Sequence, residues 1–267
     1  MKKYLSFFNI RFVNSLQYRA AAVTGIITQF AWGIMTILLF SAFYKTDASS
    51  FPMTFNQLAS YIWMQQAFLA LFMTWYFDTD VLESISTGNI AYELVRPIDI
   101  YNMWFTKNYA NRLAKAVLRC LPIIIVAIFL PYPYNLAPPP SLEALLLTIL
   151  TIFLGTSILI ALSMLVCIST FYTVNNMGVR MVFLFFAEFL SGAIIPLPFF
   201  PNNIQTFINL TPFAAIQNIP FRIYVGHITG VAMYKGLALQ FIWLFISILI
   251  GRLWLKKSLK KVIVQGG

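Results

Sequence analysis

Few side chains in this chain of 267 residues could do chemistry. There are eight acids and one histidine, His227. Metal-dependent hydrolysis needs several His, Cys or acidic ligands converging on one ion, and a lone histidine does not provide them. Asp78, Asp80, Glu83, Glu93 and Asp99 crowd one stretch, but they alternate with apolar residues and do not follow a metal-ligand spacing. Ser157 follows Gly155-Thr156 in an apolar run, and a serine nucleophile there has no general base beside it. None of the twelve glycines opens a G-x-x-x-x-G-K-[ST] loop, so the chain does not cradle ATP phosphates. Cys120 and Cys167 lie in apolar runs and read as packing residues.

Three polar residues lie deep in apolar sequence. Glu188 follows Arg180 by eight positions, about 12 Å of helix in a hydrocarbon core about 30 Å thick. An ionised carboxylate at that depth costs roughly 2.5–3.5 kcal/mol, so Glu188 should face the bundle interior, find a partner or stay protonated. It reads either as a polar point on a transport path or subunit interface, or as a neutral acid bonded between helices. Gln65 and Gln66 are the other deep pair, with interhelical hydrogen bonding as their default role.

The elements that must position these residues are membrane helices. The chain is 60% apolar and 10% charged, with 26 Phe, which excludes an ordinary soluble domain. Apolar runs lie near Ala20–Tyr44, Gln57–Phe77, Leu113–Leu130, Leu142–Phe171, Gly178–Ile195 and Met233–Leu255. Each approaches or exceeds the roughly 20 residues that span a bilayer. Of 18 Lys and Arg, all but Lys45, Arg222 and Lys235 can be placed on one side of six such spans. Basic residues stay in the cytoplasm when loops are short. The expectation is an all-α polytopic membrane protein with six transmembrane helices and both termini cytoplasmic. The net charge of +10 does not point to nucleic acid. Its residues sit at helix ends, where they meet anionic headgroups of membrane lipids.

One domain is expected over Met1–Gly267, because no loop can hold another. Met1–Gln17 reads as an amphipathic surface helix with Tyr4, Leu5, Phe8, Phe12 and Leu16 on one face; a plain extension of the first span is the alternative. Pro131–Ser141 is a proline-stiffened connector. Pro196–Val231 is extracellular yet apolar and broken by prolines. Broken backbone at membrane depth must be buried in protein or line a cavity. Asn202–Tyr224 therefore reads as one or two short re-entrant helices, with a loop packed on the bundle surface as the alternative.

Asp78–Thr106 is the longest cytoplasmic loop. Asp78, Asp80 and Glu83 begin a short helix, where carboxylates complement the dipole. Val81, Leu82 and Ile85 form one apolar face, and Gly88 is a natural stop. A compact amphipathic helix in a cytoplasmic loop suits docking of a soluble partner; resting on the headgroups is the alternative. The face assigned to docking comprises Val81, Leu82, Ser84, Ile85, Thr87 and Gly88, with Arg96 holding the loop to the membrane face.

Ile85-Ser86-Thr87-Gly88-Asn89-Ile90 followed by Leu94-Val95-Arg96-Pro97 resembles the cytoplasmic loop of type-2 ABC transporter permeases, closest to a six-span bacterial subfamily. The resemblance extends to the basic N-terminus, the Gly192–Leu197 turn with Phe200-Pro201, Thr211-Pro212-Phe213 with Pro220, and the Lys256–Gly267 ending. It implies a permease subunit of an ATP-driven exporter in the bacterial plasma membrane. It further implies that the loop helix docks on a separate ATPase subunit, which holds ATP and magnesium. A second permease, identical or related, would complete the translocation path, and this chain itself would need no cofactor. A membrane-embedded lipid-modifying enzyme is the competing reading, and it would need acids or histidines clustered at one membrane face.

Overall fold

The computed structural model describes residues 2–173 and 176–260. The expected Lys256–Gly267 ending therefore lies partly outside the described residues. Eleven α-helices and no strands are found among the described residues. They are α1 (Lys2–Leu16), α2 (Arg19–Thr46), α3 (Phe55–Phe72), α4 (Thr79–Ser86), α5 (Ile90–Leu94) and α6 (Ile100–Phe129). Then come α7 (Leu142–Ser169), α8 (Met177–Leu190), α9 (Asn202–Asn209), α10 (Asn218–Tyr224) and α11 (Val231–Leu259).

Among the described residues, three helices are long and apolar enough by themselves to cross a membrane: α2, α7 and α11. The other expected spans fall short of that measure for visible reasons. α3 carries Asn56, Gln57, Gln65 and Gln66. α6 starts well before its apolar run and carries Lys107, Arg112, Lys115 and Arg119. α8 has 14 residues, about 21 Å at 1.5 Å per residue, because the expected run to Ile195 breaks after Leu190.

α7 is the central helix. α11 and α10 pack against it, α3 packs on α6, and α2 covers both α3 and α6. α2 turns a narrow stripe inward, Ala22, Gln29, Gly33, Ile37 and Ser41, and leaves Val23, Ile27, Trp32, Met35 and Leu39 exposed. Small and polar residues inside with large apolar ones outside is the pattern of a helix facing lipid.

α1 lies against α6. Its inner face differs in one position from the expected one: Leu5 is 63% exposed, while Phe7 packs toward the core. Polar ties hold both ends of α1. Lys3 Nζ donates to Pro97 O at 2.8 Å, Asp99 N donates to Tyr4 Oη at 3.2 Å, and Ser15 Oγ donates to Asn111 Oδ1 at 2.8 Å.

The proline-broken segment after α8 forms two short helices that differ in burial. α9 is mostly exposed, with Ile208 its buried residue. The stretch Ala214–Phe221 is buried throughout, and α10 packs on α7 and α3. Gly155 on α7 makes this insertion possible, since a Cβ there would collide with the Ile216 carbonyl oxygen. Gln240 of α11 then satisfies buried backbone, donating Nε2 to Thr151 O at 3.0 Å and Ala215 O at 2.7 Å. His227, which sequence alone would leave as a solvated loop residue, is half-buried and accepts from Arg222 Nε at 3.2 Å.

Candidate functional site

The loop between α3 and α6 is built into the bundle. Asp78 is the N-cap of α4, its Oδ1 accepting from Asp80 N at 3.1 Å and Val81 N at 3.3 Å. Such a cap satisfies backbone donors that a first helical turn leaves unpaired. Lys107 of α6 reaches the same place, donating to Asp78 Oδ1 at 2.9 Å and Asp80 Oδ2 at 2.7 Å. The hydrogen bond and charge of Lys107 hold the Asp80 carboxyl below the usual aspartate range. α4 ends where expected, with Thr87 as C-cap and Gly88 at φ +79°, a left-handed conformation that costs glycine little.

α3 stops short of the loop, and a buried arginine replaces the helix. Arg112 is fully buried. Its Nη1 donates to Leu71 O at 3.0 Å and Met73 O at 2.8 Å. Its Nη2 donates to Tyr76 O at 3.1 Å, and its Nε to Asn108 Oδ1 at 2.7 Å. The last carbonyls of a helix lack intrahelical partners and carry partial negative charge. A planar guanidinium with five donors can satisfy several at once. The non-helical run 73–78 is thus welded to α6.

The apolar face of α4 points inward. Val81, Leu82 and Ile85 are 3%, 6% and 8% exposed. They join a buried cluster with Tyr101 and Trp104 of α6, Met164 and Cys167 of α7, and Leu255 of α11. Val81, Leu82 and Ile85, assigned above to the docking face, are thus buried within this chain itself. An amphipathic helix buries its apolar face in the nearest core, and here that core belongs to the same chain. Ser84 is half-buried and donates to Val81 O at 2.9 Å. Glu83, Ser86, Thr87, Gly88, Asn89, Tyr92 and Arg96 form the exposed side.

The three deep polar residues separate into two roles. Glu188 lies in the last turn of α8, and the Thr74 hydroxyl donates to its Oε1. Gln65 Nε2 donates to Gly192 O at 2.8 Å, just past the end of α8, where Gly192 turns the chain at φ +79°. The first bond joins the end of α3 to the end of α8, and the second ties the interior of α3 to the turn past α8. Gln66 points elsewhere and packs its methylene on Gly33 of α2, because adjacent helical residues face about 100° apart. The start of α8 also meets the loop: Arg180 sits 4.9 Å from the Phe77 ring centroid, and Phe183 packs edge-on to Phe77 at 5.9 Å.

Sequence reasoning missed Arg112 and Lys107, having read them as topology markers. The signal was present in the Asn108–Arg112–Lys115–Arg119 ladder, which places an amide and three cations along one helix that runs into apolar sequence.

The loop is thus braced on α6, α7 and α11 and keeps Glu83, Ser86, Thr87 and Asn89 on its outer edge. The profile of the ABC-2 family transporter proteins matches residues 24–266. This chain belongs to the ABC-2 transporter family. The match runs from α2 to the end of α11 and includes the whole loop and its braces, while α1 lies outside it. Members of the ABC-2 family are membrane transport components and not catalysts themselves, and membership implies association with an ABC ATPase subunit. Comparison with curated proteins gives no match. The chain is a membrane-embedded permease subunit of an ABC transporter.

Proposed function

We propose that this permease works in an ATP-driven exporter whose separate ATPase docks on the exposed edge of the α4–α5 loop. In this reading it pairs with a second permease, crosses the membrane six times and keeps both termini in the cytoplasm. The carrying observation is the two-sidedness of α4. Its apolar face is buried among α6, α7 and α11, while Glu83, Ser86, Thr87 and Gly88 stay outside. A push on the outer edge therefore moves a part fixed to the spans.

Two routes carry that motion inward. Lys107 and Arg112 tie the loop to α6, and Phe77 and Thr74 tie it to α8. Both routes end at the breaks in α3 and α8, where backbone is satisfied by side chains and can rearrange more readily than a continuous helix. Gln65 and Glu188 hold those breaks together, which makes them the candidates for lining or gating the path. Gln66 belongs to the contact with α2. The export direction rests on the family resemblance, and ATP and magnesium belong to the ATPase.

Photocrosslinkers at Thr87 and at Tyr132, which is exposed at the opposite end of the bundle, test the reading in the assembled complex. Thr87 should capture the ATPase subunit, with a yield that changes with nucleotide, and Tyr132 should not. An assembled complex in which Glu83, Thr87 and Tyr92 all fail to crosslink would assign docking to another surface.

A further inference from the structure

One face of α6 carries a stripe of positive charge that no carboxylate meets at ion-pair distance. Arg112, Lys115 and Arg119 stand three and four positions apart, which places them on the same side of a helix. Both ion pairs among the described residues belong to Lys107 instead, at 2.9 Å to Asp78 and 2.7 Å to Asp80. Arg112 donates to neutral oxygens, and Arg119 Nη2 donates to Ala21 O at 3.2 Å. Lys115 is half-buried, and its Nζ lies 4.0 Å from the Tyr76 ring centroid. The Arg112 guanidinium lies 5.1 Å from the same centroid. One ring shared by two cations is weak compensation for a half-buried ammonium.

Lys115 lines a cavity of about 230 Å³ between α1, the run 76–80 and α6. Arg11, Tyr18, Asp78, Asp80 and Lys107 line it too. The two acids there are already answered. Lys107 bonds both, and Arg11 adds to the positive charge that holds the Asp80 carboxyl down. Two carboxylates thus balance Lys107 and Arg11, and Lys115 is left over beside Arg112 and Arg119. The cavity is short of negative charge and has no free acid for a further cation. Its surroundings are apolar. Ile10 and Val13, next to Arg11 and Asn14 on α1, are exposed, as are Val23 and Ile27 beyond Tyr18 on α2. A surface helix with such residues sits where lipid headgroups meet acyl chains.

We propose that this cavity binds the headgroup phosphate of an anionic phospholipid, a phosphatidylglycerol, against Lys115. Its acyl chains run along the exposed apolar residues of α1 and α2. A phosphodiester closed by an uncharged alcohol supplies a single negative charge to the stripe. Choline and ethanolamine headgroups carry their own cation, so they bring no net charge, and the acids that could receive that cation are engaged by Lys107. The assignment needs only a membrane-embedded chain and stands whether or not the loop docks an ATPase.

Native mass spectrometry of the full chain in mild detergent reads this directly. Phosphatidylglycerol, phosphatidylethanolamine and phosphatidylcholine with identical acyl chains are titrated separately. One phosphatidylglycerol per chain should be retained, about tenfold more tightly than either zwitterionic lipid. Lys115→Gln should abolish that preference, and Lys115→Arg, which keeps the charge, should preserve it. Lys257→Gln removes an exposed charge near the end of α11 and should leave the preference unchanged. Equal retention of the three lipids, a preference that survives in Lys115→Gln, or an equal loss in Lys257→Gln would each overturn the proposal. Free glycerol phosphate binding as tightly as the lipid would overturn the assignment to a membrane lipid.

Discussion

Arg112 shows how a cation can be buried without a carboxylate. Desolvating a guanidinium costs several kcal/mol, and four hydrogen bonds, three of them to the carbonyls of Leu71, Met73 and Tyr76, offset that cost. Removing the side chain strands those carbonyls, each at about 1–3 kcal/mol. Arg112→Leu should therefore lower the thermal midpoint of the purified protein sharply, a loss of at least about 3 kcal/mol. Arg112→Lys should recover only part, because an ammonium is not a planar fork. Asp80 acts at the surface and more weakly. Its folded pKa is depressed by Lys107, so its stabilising contribution is present above the ordinary aspartate value of 3.8 and is lost as pH falls through the depressed value. The gap in thermal midpoint between the wild type and Asp80→Asn should hold steady from neutral pH to about pH 5 and close below about pH 4.

At the scale of elements, α4 packs its apolar face on α6, α7 and α11. Its inner residues are spent on the chain's own core, so truncating them should destabilise the permease before it weakens docking. Leu82→Ala should cost about 2–5 kcal/mol as a buried truncation. Thr87→Ala, on the exposed edge, should stay within about 0.5 kcal/mol. Denaturation of the isolated permease beside copurification of the ATPase separates the two. A Leu82→Ala protein of unchanged stability that no longer holds the ATPase would return Leu82 to the interface. The breaks in α3 and α8 follow the same economy of packing. Each removes helix where a polar side chain, Arg112 or Gln65, is placed to satisfy the freed backbone.

Over the whole molecule the basic residues and the fold suggest one arrangement. α1, the α4–α5 loop and the end of α11 gather at one end, with Tyr101 against Gly251 and Arg252 Nη2 donating to Asn102 Oδ1 at 2.7 Å. The connector after α6 and the α9–α10 segment gather at the other, with Asn56 Nδ2 donating to Pro133 O at 3.1 Å and Gln57 Nε2 to Val225 O at 3.1 Å. In a background lacking Cys120 and Cys167, single cysteines at Ser49 and Tyr132 should react with an impermeant thiol reagent in intact cells. Cysteines at Thr87 and Lys257 should react only after the membrane is opened. Labelling of Thr87 from outside would reverse the orientation.

The class of this protein was legible in the residues themselves, because transfer of apolar side chains from water is nearly additive along a chain. The runs that became α2, α7 and α11, the amphipathic α1, the Asp78 helix start and the Gly88 stop all depend on local pattern. The resemblance carried by Ile85–Pro97 likewise needed only order and spacing. What depended on tertiary structure was the destination of each group. Val81, Leu82 and Ile85 make the same amphipathic stripe whether they face a partner or their own bundle, and only the positions of α6, α7 and α11 decide between the two. Arg112 and Glu188 are equally improbable in an apolar run when read singly. Their meaning comes from carbonyls 36 to 41 positions away for Arg112 and a hydroxyl 114 positions away for Glu188. Burial is a property of the local sequence pattern, but the partner that makes burial of a polar group tolerable is a property of the packed bundle.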